Sequence, residues 1–314
     1  AATKEVTLPQ PSAAPAPTAA RGDTLPATAP ASAAGEAITL TTDLLRVEIS
    51  TLGGDITRVE LLKHQDSKET GNPVVLLQKN INHTYVAQSG LIGGDFPNHR
   101  STFIARDGAR TLGTGDSLQL ILDSDQGGVK VTKTYTLKRS QYDIGLKHEI
   151  QNHSPNGITP SIYAQLVRDD SKLGGDSYFY TTFTGPAIYT AAEKYRKVSF
   201  DDIEKGKNPV AARTPDGWVA MVQHYFVSAF APLSKGEHEL FTRKVGPRLF
   251  AVGAIMPVGQ VAPNSTSSHE SKFYAGPQES VMLESFATDF DLVKDYGWLT
   301  LIAKPIFWLM TQLH

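Results

Sequence analysis

Three observations predict an antiparallel all-β body, a sandwich or a pair of stacked sandwiches. Apolar and polar residues alternate in short runs, turn residues break those runs, and hardly any 3.6-residue period appears before residue 278.

From Ala1 to about Gly35 the chain is mostly Ala, Pro and Thr. Such a composition buries too little surface to offset the entropy of ordering, so residues 1–35 read as a disordered, partly extended tether. Arg21-Gly22-Asp23 within it is a chance-level tripeptide. The β-supersandwich is expected over 36–277. It opens with Ile38 and Leu40, then Leu45, Val47 and Ile49, and Gly53-Gly54 turns the chain toward a strand from Ile56 to Leu62. Leu118, Leu120 and Leu122 are followed by Val129, Val131, Tyr135 and Leu137, and then by Ile144, Leu146 and Ile150. Between the first two of these runs, Asp123 to Gly128 is a hairpin signal, because glycine supplies positive φ. It is not a calcium loop, since Thr134 stands where a bidentate Glu is needed. Further strands are expected over Ile158 to Val167, Trp218 to Phe230, Leu249 to Ile255 and Ser268 to Tyr274.

Helical character comes late. Over 278–296 a short packed helix and connector are expected, with Pro277 in the first turn, Glu279 near the N-terminal dipole, and Met282, Leu283, Phe286 and Phe290 as its apolar stripe. Residues 297–314 then form an amphipathic segment. As a helix, Trp298 to Leu313 would measure about 24 Å, short of the roughly 30 Å hydrocarbon core of a bilayer. Trp298, Leu301, Ile302, Ile306, Leu309 and Leu313 share one stripe, and Thr300, Lys304 and Thr311 another face. Phe307 and Trp308 blur the division, and Pro305 kinks the helix. A lysine ridge with flanking tryptophans fits a helix lying in the membrane interface, with Trp298, Leu301, Ile302, Lys304, Ile306, Phe307, Trp308 and Leu309 as its contact residues. Docking of this helix on the domain's own core is the competing reading.

Composition excludes several functions. With 30 Lys and Arg against 32 Asp and Glu there is no basic footprint for nucleic acid. Cysteine is absent, which removes disulfides, thiolate metal sites and a thiol nucleophile. No start methionine or leader opens the chain, so it reads as a piece of a longer one. Catalytic patterns are sparse. His148 and Glu149 are neighbours on a strand and point to opposite faces. His224 is expected to be partly buried and hydrogen-bonded, while His64, His83, His99, His153, His238 and His269 are expected at the surface. Asp169-Asp170 and Asp201-Asp202 read as solvated loop carboxylates. No ligand spacing points to zinc, no glycine loop to phosphate, and no cofactor is expected. The aromatic run Tyr178, Tyr180, Phe183 and Tyr189 could line a cleft for an extended peptide or glycan, against the plainer use of core packing.

The stretch from Phe290 to Leu299, with Asp295-Tyr-Gly-Trp-Leu299 and the Lys304-Pro305 helix behind it, resembles the junction between the large periplasmic domain and the membrane region of the YidC family of bacterial membrane protein insertases. Ala87 to Leu91, Phe183 to Tyr189, Glu193 to Tyr195, Gly217 to Met221, Tyr225-Phe226 and Tyr274 to Pro277 match in the same order. The resemblance implies a galactose mutarotase-like β-supersandwich on the periplasmic side of the inner membrane, non-catalytic, serving as a docking platform in membrane protein insertion and folding. It also implies nascent membrane proteins, the Sec translocon and SecDF as partners. The insertase groove would lie beyond His314. A carbohydrate-active epimerase or a glycan- or peptide-binding module on the same fold is the alternative.

Overall fold

The computed structural model describes residues 35–66, 71–171, 183–207, 213–233 and 236–294. All of the expected 1–35 tether except Gly35, and the segment 295–314, lie outside them.

The strands follow one another as β1 (Ala37–Thr41), β2 (Leu45–Ser50), β3 (Ile56–Gln65), β4 (Pro73–Lys79), β5 (Thr84–Ile92), β6 (Ile104–Ala105), β7 (Ser117–Gln126), β8 (Val129–Lys138) and β9 (Asp143–Asn152). After them come β10 (Ser161–Asp169), β11 (Gly185–Thr190), β12 (Lys194–Lys197), β13 (Trp218–Gln223), β14 (Phe226–Pro232), β15 (Glu239–Gly246), β16 (Leu249–Pro257) and β17 (Thr266–Pro277). They build two antiparallel sheets. One has eight strands in the order β1-β2-β3-β4-β5-β10-β16-β15, the other nine in the order β12-β11-β13-β14-β17-β9-β8-β7-β6. The expected antiparallel supersandwich is therefore present, with one continuous apolar core that draws buried residues from strands of both sheets.

Alternation marks the strands that have one wet face. In β7, β8 and β9 every second residue is buried, because one side of the pleat meets the other sheet and the other side meets water. The turn between β7 and β8 is the expected hairpin, with Gly127 and Gly128 at φ of 61° and 73°. Strands β5, β11 and β13 are buried along nearly their whole length, so their alternation is lost. The run from Trp218 to Phe230 is a correction: it is a hairpin, with His224 and exposed Tyr225, at φ 68°, between β13 and β14. The strand expected from Ile158 begins at Ser161, and Ile158 itself makes an isolated bridge to Val261.

Two short helices flank the sheets. In α1 (Phe200–Glu204) the Ser199 hydroxyl accepts from the Asp202 amide at 3.0 Å, satisfying a first-turn donor. Asp201 and Asp202 are thus helical, not in a loop as expected. The late helix is α2 (Ser280–Phe286), and a 3-10 turn follows at Phe290–Val293. Pro277 ends β17 instead of opening the helix, and Glu279 takes the cap position without a side-chain bond. Leu283, Phe286, Phe290 and Val293 are buried against the core. Among the described residues no helix is long and apolar enough to cross a membrane.

Candidate functional site

Trp298, Leu301, Ile302, Lys304, Ile306, Phe307, Trp308 and Leu309 lie outside the described residues, as do Tyr178 and Tyr180. Of the aromatic run, Phe183 and Tyr189 remain, and they part company. Tyr189 is buried in β11, its ring stacked on Trp218 with centroids 5.5 Å apart, and its hydroxyl donates to Asp289. It serves the core. Phe183 is half-buried, with Lys197 Nζ 5.2 Å from its ring centre, and lines a hollow of about 400 Å³. The walls of this hollow come from Val222, Phe226, Pro277 and Val293, with His64, His224, Gln278, Glu279 and Lys294 among its polar groups. Within it Gln278 Nε2 donates to the carbonyls of Gln223 and Phe226, at 3.0 and 3.1 Å, which ties the β13–β14 hairpin to the end of β17.

The densest polar chemistry lies elsewhere, between the sheets. Lys133 on β8 is 0% exposed, and its ammonium donates to the carbonyls of Gly53 at 2.6 Å and Ser89 at 2.7 Å. Tyr135, on the same face two residues on, donates to the carbonyl of Gly54. These carbonyls are available because Gly53 and Gly54 take φ of 78° and 65°; a Cβ on Gly53 would stand 2.5 Å from the His99 carbonyl oxygen. His148 on β9, 1% exposed, shares a 3.0 Å hydrogen bond with the Ser89 hydroxyl. Asp55, 7% exposed, accepts from Gln88 Nε2 at 2.7 Å, and Gln88 in turn accepts from Gln165 Nε2 at 3.0 Å.

Burial governs the charge states here. It pushes the Asp55 carboxyl up to about 7, against the pull of the Lys133 charge and the Gln88 bond. It lowers Lys133 to about 8 although Asp55 acts the other way. Burial, assisted by the Lys133 charge, drives His148 well below its ordinary value, so its ring stays neutral. A buried histidine and a buried carboxylate, the ingredients of acid–base chemistry, are thus present, but they bond to Ser89 and Gln88, which point to opposite faces of β5. His148 is the more deeply buried of the two. What the cluster does is bond one sheet to the other.

A second buried cation is Arg168 on β10, whose Nη1 donates to Gln223 Oε1 at 3.0 Å and whose guanidinium lies 5.0 Å from the Tyr85 ring centre. Its Nε and Nη2 have no hydrogen-bond partner among the described residues. Sequence reading passed over Lys133, His148 and Arg168 as interior groups, although the signal was there. Each occupies the inward register of its strand, after Val131, Leu146 and Leu166 respectively. Asp55 had no such marker, because it lies in the turn before β3.

Other histidines also moved. His99 and His238 are buried, not at the surface: the ring and amide of His99 both meet the Tyr163 hydroxyl, and backbone bonds in both directions hold His238 to Thr214. His224, expected to be partly buried, stands exposed in the hairpin. Asp169 ends β10 and pairs with His83 Nδ1 at 2.9 Å, and Asp170 pairs with Arg248 at 2.7 Å.

A family model described as the YidC periplasmic domain matches residues 37–309. A "Membrane protein insertase YidC" of Janthinobacterium sp. (strain Marseille) is 53% identical over 279 residues, 89% of this chain and 50% of that protein. Its namesake from Herminiimonas arsenicoxydans is 54% identical over 280 residues, 89% of this chain and 49% of the relative. The chain spans about half the length of the curated relatives it matches. Among solved structures, a galactose mutarotase related enzyme from Lactobacillus acidophilus superposes with a TM-score of 0.47 at 11% identity, covering 76% of this chain and 97% of that one. A likeness of that degree says nothing about activity.

Proposed function

We propose, from the premise that this chain belongs to the family of YidC periplasmic domains, that it is the non-catalytic body of a bacterial inner-membrane protein insertase. It stands on the periplasmic side as a docking platform during membrane protein insertion and folding, with the helix over 297–314 lying in the membrane interface. The family match carries this reading. The burial of Asp55 and His148, bonded to neighbouring residues on opposite faces of β5, supports the non-catalytic part, because acid–base work on a sugar needs both groups within reach of one substrate atom. The proposed partners are nascent membrane proteins and, through family resemblance, the Sec translocon and SecDF.

Flotation with vesicles containing anionic lipid tests the membrane part. The whole chain is expected to float, and deletion of 298–314 is expected to abolish flotation while leaving the circular dichroism of the β body unchanged. Equal flotation of both would refute the interfacial helix. Mutarotation of common aldoses should run at the uncatalysed rate, and a clear enhancement would restore the epimerase alternative.

A further inference from the structure

Sheet edges carry unpaired amides and carbonyls, and folded proteins guard them with charge or cover. At the far end of the eight-stranded sheet β15 is flanked by α1, with Lys244 Nζ donating to Glu204 at 2.6 Å. At the far end of the nine-stranded sheet β12 places Lys194, Arg196 and Lys197 in one short strand. The edge strand β1 has no such guard: its sequence, Ala-Ile-Thr-Leu-Thr, holds no charge and no proline. We propose that β1 is a docking edge, which takes an extended segment of a partner protein bearing lysine or arginine as an added strand.

Backbone direction shows which groups are open. The Thr51 amide donates to the Glu36 carbonyl, so the even-numbered residues here face β2. Thr41 faces the other way: its amide donates to Arg110 and its carbonyl accepts from Leu112, both at 2.9 Å. Directions alternate along a strand, so the amides and carbonyls of Ala37 and Thr39 point as Thr41 does, and they have no partner among the described residues. Ala37 and Thr39 line a groove of about 640 Å³, together with Phe103, Ala105 and Ile104, which is 74% exposed. The Arg106 amide donates to Ile121 on β7, so the backbone of Ala105 turns away from β7 and adds a donor and an acceptor at the opposite wall. Such a slot suits an extended chain, whose backbone meets the open groups while alternate side chains reach Ile104. Charge then selects the partner. The charged side chains of the groove are Glu36, Asp107 and Arg110, and Arg110 already donates to the Arg106 carbonyl at 3.1 Å, so a basic residue on the incoming strand meets a net negative rim. The inference rests on the docking reading above and gives it a surface.

The probe is the peptide Ac-Lys-Thr-Val-Thr-Val-Lys-NH2, titrated into the whole chain and followed by amide NMR shifts and hydrogen exchange. Binding with a Kd below about 1 mM is expected. Exchange should slow at Ala37, Thr39 and Ala105 and change little at Ile38 and Leu40, whose amides already serve β2. Full N-methylation of the peptide should weaken binding about tenfold or more, since it removes the donors of the added strand. Glutamate in place of both lysines should weaken it about two- to tenfold. Thr39→Pro should match the N-methylated peptide in lost affinity, with a melting temperature within about 3 °C of the parent, because proline is tolerated on an edge strand where its missing amide had no partner. Should that variant not fold, the N-methylated peptide makes the same test on the unaltered chain. No binding at about 1 mM, or equal binding of the N-methylated or glutamate peptide, would overturn the proposal. So would exchange protection at Ala37 and Thr39 before peptide is added, which would show the edge already paired by the chain itself or by a second copy. Failure of this edge leaves the flotation and mutarotation results untouched, so it is told apart from failure of the broader reading.

Discussion

Two buried regions of the molecule use opposite chemistry. Around Trp218 the contact is aromatic: Phe290 meets the indole edge to face at 4.8 Å, Phe286 lies 4.8 Å from Phe290, and Tyr274 packs on both. Around Lys133 the contact is polar, and its bonds run across the gap. Lys133, Tyr135 and His148 belong to the nine-stranded sheet; Gly53, Gly54 and Ser89 belong to the turn and strand of the eight-stranded one. Apolar burial is nondirectional and tolerates sliding of one sheet over the other, whereas donor–acceptor pairs hold in one arrangement only. The aromatic cluster thus holds α2 and the 3-10 turn on the nine-stranded sheet, and the polar pegs select the register in which the two sheets meet. The buried charges thus act on how the two sheets are set against each other.

Replacing Lys133 separates the two roles most sharply. Lys133→Ala strips two buried carbonyls of their donor and leaves Asp55 without its counter-charge, which should cost about 3–5 kcal/mol in urea unfolding. Lys133→Met keeps most of the volume and should cost less. A loss under about 1 kcal/mol for the alanine variant would mean that the pegs contribute nothing and that packing alone sets the register. At the aromatic end, Trp218→Phe removes the indole donor to the Thr288 carbonyl, at 3.0 Å, and part of a ring. About 1–3 kcal/mol is expected, with no dependence on pH. A pH-dependent loss there would erase the contrast.

The contrast also explains what was legible in the sequence. Where one face of a strand is wet, as in β7 to β9, alternation gave the strand, its inward face and the hairpin at Gly127-Gly128. It failed in β5, whose residues are buried on both faces and carry no period, and at His224-Tyr225, where a two-residue loop without glycine interrupts a continuous apolar run. The candidate site was legible only in fragments. Phe183 does border a hollow, but its other walls come from the β13–β14 hairpin, the end of β17 and the turn at Val293. Residues so distant in sequence are brought together only by sheet order, which no local pattern encodes. Lys133 could have been read from its register, but its partners could not, because they are backbone carbonyls and every residue has one.

The most specific effect depends on pH. Asp55 rises from an ordinary value of 3.8 to about 7 because burial disfavours its charge. Between those values the folded chain keeps a proton that the unfolded chain has released, so its stabilising effect is whole below about pH 4 and is lost as the pH climbs through 7. Lys133 runs the other way, lowered from 10.5 to about 8: across that interval the unfolded chain holds the extra proton, and stability recovers as the pH rises. Asp55→Asn cannot ionise. Relative to wild type it should gain stability steadily from pH 4 to pH 7, by on the order of 1 kcal/mol per unit at most. Its alkaline recovery should also begin at lower pH, since Lys133 loses the carboxylate that opposes its deprotonation. Urea midpoints of the two proteins at half-unit steps measure this difference, and the contributions of carboxylates common to both cancel. Parallel curves from pH 4 to 7 would show that Asp55 stays in one state, and that the polar pegs hold the sheets without any proton at stake.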